Sequence, residues 1–155
     1  MDIVGESPTK RYGHTLTFTS PYVVLFGGNT GNQNMNDSWA LNIDKQPFFW
    51  TKLECKGDIP SPRVYHSADV CQSGAAAGMI VIFGGRRGEK SGDNADNWGC
   101  HGLRRHRDGK WDWVKAPYLG NGVKPRSRYQ HSGIFMGSLM FIVGGRSYNV
   151  HENLK

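Results

Sequence analysis

The chain has 155 residues, of which 37% are apolar and 12% aromatic, and its 19 basic and 13 acidic side chains give a formal net charge of +6. No apolar stretch approaches the length of a membrane-spanning helix, and the start "MDIVGESPTK" lacks the basic and apolar regions of a signal peptide. Cys55, Cys71 and Cys100 are odd in number and lack paired spacing, which argues against a disulfide framework or a zinc site. We therefore expect an intracellular chain, cytoplasmic or nuclear, with three free and mostly buried thiols.

The first predicted unit, residues 8–61, opens on the string "RYGH", which contains Arg11 and His14, and continues into the apolar run "YVVLFGG". A continuous run of β-branched and aromatic residues of this length is typical of a strand buried on both faces. The run ends on Gly27 and Gly28, which permit a tight exit from a crowded strand. The segments "DSWALNI" and "FFWTKLE", the latter containing Trp50, complete a unit of four short strands.

The second predicted unit, residues 62–125, repeats this order. It has "RVYH" with Arg63 and His66, "GMIVIFGG" ending on Gly84 and Gly85, and then "DNWGCHGL" and "KWDWVKAP" with Trp113. Between the last two segments, Asp108-Gly109 favours a β-turn that joins two strands. The tripeptide His106-Arg107-Asp108 also spells part of the kinase catalytic loop, but the residues that follow do not continue that motif.

The third predicted unit, residues 126–155, contains Arg128, His131 and the run "SLMFIVGG" with Gly144 and Gly145, and it lacks the tryptophan-bearing segments. The first glycines of the three pairs are 57 and 60 residues apart (84 − 27 and 144 − 84). A four-stranded antiparallel unit that repeats at this period predicts an all-β fold of β-propeller blades. The chain therefore corresponds to a partial propeller of about two and a half blades.

Closure of a propeller takes roughly four to eight blades, so this chain is too short to form a ring by itself. Either it is a segment of a longer protein, which we favour, or several copies associate. We expect residues from about Arg126 onward to pack on the second blade and to leave one edge open. Such an edge exposes apolar surface and unpaired strand groups, so the isolated chain is expected to be prone to aggregation.

The residues that recur once per unit are interpreted as structural. A single functional site has no need of three copies, so His14, His66 and His131 are predicted to bond the backbone or a neighbouring blade. The matching arginines, Arg11, Arg63 and Arg128, are predicted to bridge blades through carbonyls or carboxylates. Trp50 and Trp113 are predicted to pack between blades.

The combination of R-x-x-H, a glycine pair after an apolar run and a late tryptophan resembles the kelch repeat over the whole chain. The string "HGLRRHRDGKWDWVKAP" followed by "RYQHSGIF" more narrowly resembles the kelch region of the kelch-like serine/threonine phosphatases of plants and alveolate protists. This resemblance implies a parent protein with a downstream catalytic domain that binds two divalent metal ions. The phosphatase signatures GDxHG, GDxxDRG and GNHE do not occur in the sequence, so we expect this segment to lack catalytic residues and cofactors of its own.

The resemblance implies a protein-interaction module that recruits or orients substrates or regulators for the phosphatase domain. Two alternatives remain open at this point. One is the propeller of a cytoplasmic scaffold or of a ubiquitin-ligase substrate adaptor, and the other is a kelch-type enzyme whose site is built from several blades.

The residue after each glycine pair is Asn29, Arg86 or Arg146, so two successive units place an arginine at one equivalent position. In kelch propellers the corresponding loop resembles one that lines the mouth of the central channel. These positions and the nearby basic residues are the predicted partner-binding set: Asn29, Arg86, Arg87, Arg146, Arg104 and Arg105, with Lys90 and Arg107 beside them. Such a surface suits an acidic or phosphorylated protein or peptide, and suits nucleic acid less well. The alternative is a solvated basic surface that other blades compensate, and no role is assigned to the polar loop 86–97.

Overall fold

The computed structural model describes residues 2–88, 99–116 and 125–147. Three separate sheets account for the strands in these ranges, and they follow one another along the chain. No helix within them is long and apolar enough to span a membrane. Lys90 and residues 89–97 of the predicted polar loop lie outside the described ranges.

The first sheet contains four antiparallel strands that are adjacent in chain order. They are β1 (Thr15–Thr19), β2 (Tyr22–Phe26), β3 (Ser38–Asn42) and β4 (Trp50–Lys52). The apolar run predicted as a buried strand is β2, whose last three residues are buried. This arrangement is the antiparallel four-stranded unit expected for a propeller blade.

The second sheet has the order β6-β7-β8-β9 with a short fifth strand at its outer edge. Its strands are β5 (Lys56–Gly57), β6 (Ser67–Val70), β7 (Ile80–Phe83), β8 (Cys100–Arg105) and β9 (Trp111–Ala116). β5 pairs in parallel with β9, so the chain joins the second sheet before the predicted boundary at residue 62. The blade boundaries themselves stay predictions.

The hairpin between β8 and β9 confirms the predicted turn at Asp108-Gly109. The amide of His106 donates to the carbonyl of Lys110, and Gly109 has a φ of 87° and donates to the carbonyl of His106. The Asp108 carboxylate accepts a hydrogen bond from the amide of Lys110 at 3.0 Å. These bonds hold the segment in a tight hairpin.

The main hydrophobic core lies between the first and second sheets. It combines Val24, Phe26 and Ala40 of the first sheet with Ile80, Ile82, Leu103, Trp111 and Trp113 of the second sheet. Side chains of this size each contribute roughly 1.5–3 kcal/mol when fully buried. A smaller cluster of Cys71, Val81 and Phe135 joins the second sheet to the third. Consecutive sheets are therefore packed face to face, as blades are in a propeller.

The third sheet is the hairpin of β10 (Ser132–Met136) and β11 (Leu139–Val143). The prediction that its apolar run is buried on both faces is wrong for β11, where Leu139 is 64% exposed and Val143 is 69% exposed. The physical reason is that one face of the hairpin lies against β6 and no described sheet covers the other. The structure therefore shows the open apolar face that the repeat analysis predicted.

The three cysteines are free, as predicted. Cys71 is buried, whereas Cys55 and Cys100 are each half-buried. Burial raises the pKa of the Cys55 and Cys100 thiols, so both stay protonated near neutral pH.

Candidate functional site

The repeated histidines of the second and third units, His66 and His131, pack into the preceding sheet. His66 Nε2 lies 3.0 Å from the Thr15 hydroxyl, and His131 Nε2 lies 2.8 Å from the Ser67 hydroxyl. The His66 ring also meets the Phe26 ring edge-on. Burial lowers the pKa of His66 to about 3 and the pKa of His131 to about 4. Both imidazoles are thus neutral at physiological pH, and each connects its own sheet to the preceding one through a hydrogen bond.

The glycine pairs provide the space for these histidines. A Cβ atom on Gly27 would lie 2.8 Å from Cε1 of His66, and a Cβ on Gly28 would lie 2.8 Å from Cβ of His14. The first glycine of a pair therefore accommodates the histidine of the next unit, and the second accommodates the histidine of its own unit. Both glycines have positive φ, at 66° and 93°, which other residues adopt only with strain.

Among the described residues, the repeated arginines bond within their own units and do not bridge blades with their side chains, contrary to the prediction. Arg11 donates to the carbonyl of Gly27 at 3.0 Å and to both oxygens of Asp37, all within its own unit. Arg63 likewise donates to the carbonyl of Gly84 at 2.9 Å, and Arg128 donates to the carbonyl of Gly144 at 3.1 Å. Each guanidinium closes the exit turn of its own apolar strand, since that turn presents a carbonyl that no ladder bond satisfies.

The backbone of the same motif does link neighbouring units. The amide of Gly28 donates to the carbonyl of Arg63 at 2.9 Å. The amide of Tyr65 donates to the carbonyl of Gly13, and the amide of Gln130 donates to the carbonyl of Tyr65, both at 2.9 Å. Tyr65 and Gln130 have φ values of 62° and 55°, which turn their amides toward the preceding unit.

The structure brings together the three positions that follow the glycine pairs. Asn29, Arg86 and Arg146 each form an isolated antiparallel bridge to the first variable residue of their own R-x-x-H motif. Because the motifs are linked from unit to unit, these three residues, here called the exit positions, lie at the same end of consecutive sheets. Arg146 is exposed and Arg86 is half-buried, with its guanidinium 6.0 Å from the centre of the Tyr129 ring.

Asn34 connects two of these loops, and sequence reasoning did not identify it. Its amide donates to the carbonyl of Arg87 at 2.7 Å and to the carbonyl of Arg86 at 3.3 Å. Its side-chain oxygen accepts a hydrogen bond from the Asn29 amide at 2.9 Å. Asn34 falls in a polar loop with no repeat signature, so only the folded arrangement shows that it fixes the exit position of the second unit.

Positive charge is concentrated at this end of the second sheet. Burial and the nearby Arg87 lower the pKa of Arg63 to about 10. Burial, and to a smaller extent the positive charges of Arg63 and Lys115, lower the pKa of His101 to about 4. His101 is therefore neutral near physiological pH, and the positive charge at this end is carried by Arg63 and the half-buried Arg86 and Arg87, which attract an anionic partner.

Arg104 and Arg105 lie elsewhere, which corrects their grouping with the exit positions. They follow Leu103, which pairs with Ile80, whereas Arg86 lies six residues beyond Ile80 along the chain (86 − 80). They therefore lie beyond the first residue of β7, whereas Arg86 follows its last residue, Phe83, so the arginines are at opposite ends of this strand, whose ladder alone is roughly 10 Å long at about 3.3 Å per residue. Arg104 is also neutralised by Asp112, at 2.9 Å.

The two predicted tryptophans differ in their surroundings. Trp113 is 1% exposed and lies in the core between the first and second sheets. Trp50 on β4 is only half-buried and lies outside that core, where Trp111 is found instead. The alternation Trp111-Asp112-Trp113 could have identified Trp111, because residues two apart on a strand share a face.

Within the described ranges, no three His, Cys, Asp or Glu side chains are grouped closely enough to hold a metal ion. The arrangement at the exit positions consists of cations, amides and an aromatic ring. It is suited to binding an anionic group, and it contains no paired acid and base for general catalysis.

Comparisons with known proteins agree with this architecture, although no protein-family model matches the chain. The chain is 35% identical over 92% of its length to the serine/threonine-protein phosphatase BSL2 of Arabidopsis thaliana. It is 25% identical over 97% of its length to the leucine-zipper-like transcriptional regulator 1 of Mus musculus. The chain spans only 13% and 17% of the lengths of these two relatives.

A solved structure, that of YjhT, superimposes on 94% of the chain with a TM-score of 0.66 at 18% sequence identity, and the chain covers 42% of it. This likeness concerns the fold. The threefold motif, the consecutive antiparallel sheets and the relatives together show that the chain is a kelch-repeat β-propeller segment resembling the kelch region of kelch-like serine/threonine protein phosphatases.

Proposed function

We propose that this protein-interaction module recruits or orients substrates and regulators for a serine/threonine phosphatase domain in the same parent protein. The single observation that carries the proposal is the convergence of the exit positions Asn29, Arg86 and Arg146 at one end of the sheets. Similarity to a phosphatase over 92% of this chain supports the nature of the parent. In such a parent, two divalent metal ions would belong to the catalytic domain, and the protein would act in the cytoplasm or nucleus.

The proposed partner of the exit positions is an acidic or phosphorylated segment of a protein. Arg86 and Arg146 follow successive glycine pairs and so occupy equivalent places on neighbouring sheets. Guanidinium groups bind carboxylates and phosphates through two parallel hydrogen bonds. A phosphorylated segment is also the expected substrate of a protein phosphatase, so the same surface would hold the chain that the catalytic domain acts on.

The test compares two reactions of the full-length parent protein. The double variant Arg86→Glu, Arg146→Glu should slow dephosphorylation of a phosphoprotein substrate at least tenfold, because two attractive charges become repulsive. Hydrolysis of the small substrate p-nitrophenyl phosphate should not change, since that ester needs no docking surface. Arg104→Glu is the matched control, because it changes an arginine near the other end of the same sheet.

Equal loss of both reactions, or equal effects of the double variant and the control, would contradict docking at the exit positions. Absence of phosphatase activity from the full-length parent would refute the proposed context and favour a scaffold or a ubiquitin-ligase adaptor. Circular dichroism of the double variant should match that of the unmodified protein. Loss of structure would instead assign the two arginines to the scaffold.

A further inference from the structure

A second surface is a cleft of about 510 Å³ between the outer strands of the first sheet and the β8–β9 hairpin of the second. We call this cleft the rim groove. Its wall includes Thr51 and Lys52 of β4 on one side and Arg105 and Gly109 of the hairpin on the other. It is remote from the exit positions, since Arg105 lies beyond the first residue of β7, whereas Arg86 follows the last residue of that strand.

The floor of the rim groove is apolar and aromatic. Tyr22, Leu53 and Trp111 line it, and Tyr22 and Trp111 meet edge-on with ring centres 5.4 Å apart. Trp111 is only 8% exposed, whereas Phe49, also in the lining, is 50% exposed. A half-exposed phenylalanine above a fixed aromatic floor provides a place for one apolar side chain of a partner.

The lining carries four cations and one carboxylate: Lys45, Lys52, Arg105 and Lys110 against Glu54. Within the described ranges, Lys45, Lys52 and Arg105 form no ion pair. Lys110 is 3.9 Å from the Asp108 carboxylate and is 80% exposed, so this contact neutralises it weakly.

Arg105 is positioned at the groove by a cation–π contact with Tyr22. Its guanidinium lies 5.2 Å from the centre of the Tyr22 ring, and this cation–π contact leaves its hydrogen-bond donors without a carboxylate partner. The adjacent Arg104 differs, because it pairs with Asp112 at 2.9 Å. Of two neighbouring arginines, the structure thus neutralises the one outside the groove and leaves the one inside it unpaired.

From these features we propose that the rim groove is a docking site for an acidic peptide segment that carries one aromatic or large aliphatic side chain. The apolar side chain lies against the floor beside Phe49, and flanking carboxylates pair with Lys45, Lys52 and Arg105. This site is separate from the exit positions, so the chain can hold two segments of a partner, or two partners, at once.

The geometry favours a peptide over single-stranded nucleic acid. Base stacking needs exposed ring faces at successive positions. In the groove Trp111 is buried and the Tyr22 ring is covered by Arg105, which leaves Phe49 as the exposed ring among the described lining residues. One exposed ring suits a single apolar anchor, and the excess positive charge suits its acidic neighbours.

Fluorescence anisotropy of a labelled peptide, with glutamates on both sides of one phenylalanine, tests the proposal on the 155-residue chain. The variant Lys52→Glu, Arg105→Glu should weaken binding at least tenfold, and replacing the phenylalanine of the peptide with alanine should weaken it severalfold. The matched control Lys10→Glu, Lys56→Glu changes two exposed lysines outside both the rim groove and the exit positions, and it should leave this binding within about twofold of the unmodified chain. The affinity should fall as salt is raised, because the pairs are exposed.

Four outcomes would overturn the proposal: no binding of the peptide, equal weakening by both double variants, insensitivity to the phenylalanine, or tighter binding of a labelled oligothymidylate. If the Lys52→Glu, Arg105→Glu variant unfolds, the variant Lys45→Gln, Lys52→Gln takes its place. It changes two exposed lysines and should weaken binding about threefold to fivefold. Failure of the proposed phosphatase role leaves this result unchanged, because the assay measures binding by this chain alone.

Discussion

The packing of the second sheet against the third can be tested by adding one atom, the Cβ of an alanine that replaces Gly84. The new atom would overlap the carbonyl oxygen of Arg128 and come 2.6 Å from Cε1 of His131. The equivalent glycine of the next pair, Gly144, has no atom within 4 Å of such a Cβ. The φ values of the two glycines are nearly equal, at 68° and 72°, so Gly144→Ala is a matched control for backbone strain.

An alanine held at positive φ costs about 1 kcal/mol at either position. At Gly84 the His131 ring must also move, which breaks its 2.8 Å hydrogen bond to Ser67 and costs about 1 kcal/mol more. Displacement of the Arg128 backbone adds a packing cost of roughly 1–3 kcal/mol. We therefore expect Gly84→Ala to lower the free energy of unfolding by about 3–5 kcal/mol and Gly144→Ala by about 1 kcal/mol.

Urea denaturation followed by tryptophan fluorescence measures this difference. In a His131→Ala background the cost of Gly84→Ala should fall by at least 1 kcal/mol, because part of the clash has been removed. Equal costs for the two glycine variants in the unmodified background would refute the reasoning that the first glycine of a pair accommodates the histidine of the next unit.

Three further predictions concern the same framework. Burial lowers the pKa of His66 to about 3, so the stabilisation by the neutral ring is complete above its ordinary pKa of about 6.5 and is lost as the pH falls below that value. At pH 5 this lowers the free energy of unfolding by about 2 kcal/mol. In urea titrations, a His66→Gln variant should therefore lose about 2 kcal/mol less stability than the unmodified chain between pH 7.5 and pH 5. Burial alone would raise the pKa of Asp37, but hydrogen bonds from Arg11 and Trp39 leave it lowered; Asp37→Asn should reduce the free energy of unfolding by roughly 3 kcal/mol, because it leaves the Arg11 charge buried without its partner, and a change below 1 kcal/mol in urea would contradict this. Trp113→Ala should cost roughly 3–5 kcal/mol, whereas Trp50→Ala should cost clearly less in the same measurement, because only Trp113 lies in the core between the sheets.

The sequence was sufficient to predict the repeated units and the structural character of the recurring histidines. Both depend on local patterns, namely an apolar run that ends on two glycines and a motif that returns at a fixed spacing. The place of Arg104 was not predictable in this way. It depends on the register of β8 against β7, which fixes the end of the sheet at which a residue lies.

The two candidate sites also differ in whether a local sequence pattern predicts them. The exit positions follow directly from the glycine pairs, so a repeat-based alignment brings Asn29, Arg86 and Arg146 together. The rim groove brings together Lys45, Phe49 and Arg105 from two different sheets. No local pattern connects these residues, because their proximity results from the packing of one sheet on the next.

The backbone links between the R-x-x-H motifs have a consequence for how such a chain can vary. Two of these links are formed by Gly13, Tyr65 and Gln130, which share no side-chain chemistry, and the bonds use only backbone amides and carbonyls. The bonding atoms are therefore common to all residue types, but Gly13 has no room for a side chain, since a Cβ there would overlap Cγ2 of Val64. Tyr65 and Gln130 both adopt the left-handed backbone conformation. The second unit carries both halves of the link, because the amide of Tyr65 bonds the preceding unit and its carbonyl bonds the following one. The same backbone link can thus recur along a series of units while the residue type at the neighbouring exit positions differs.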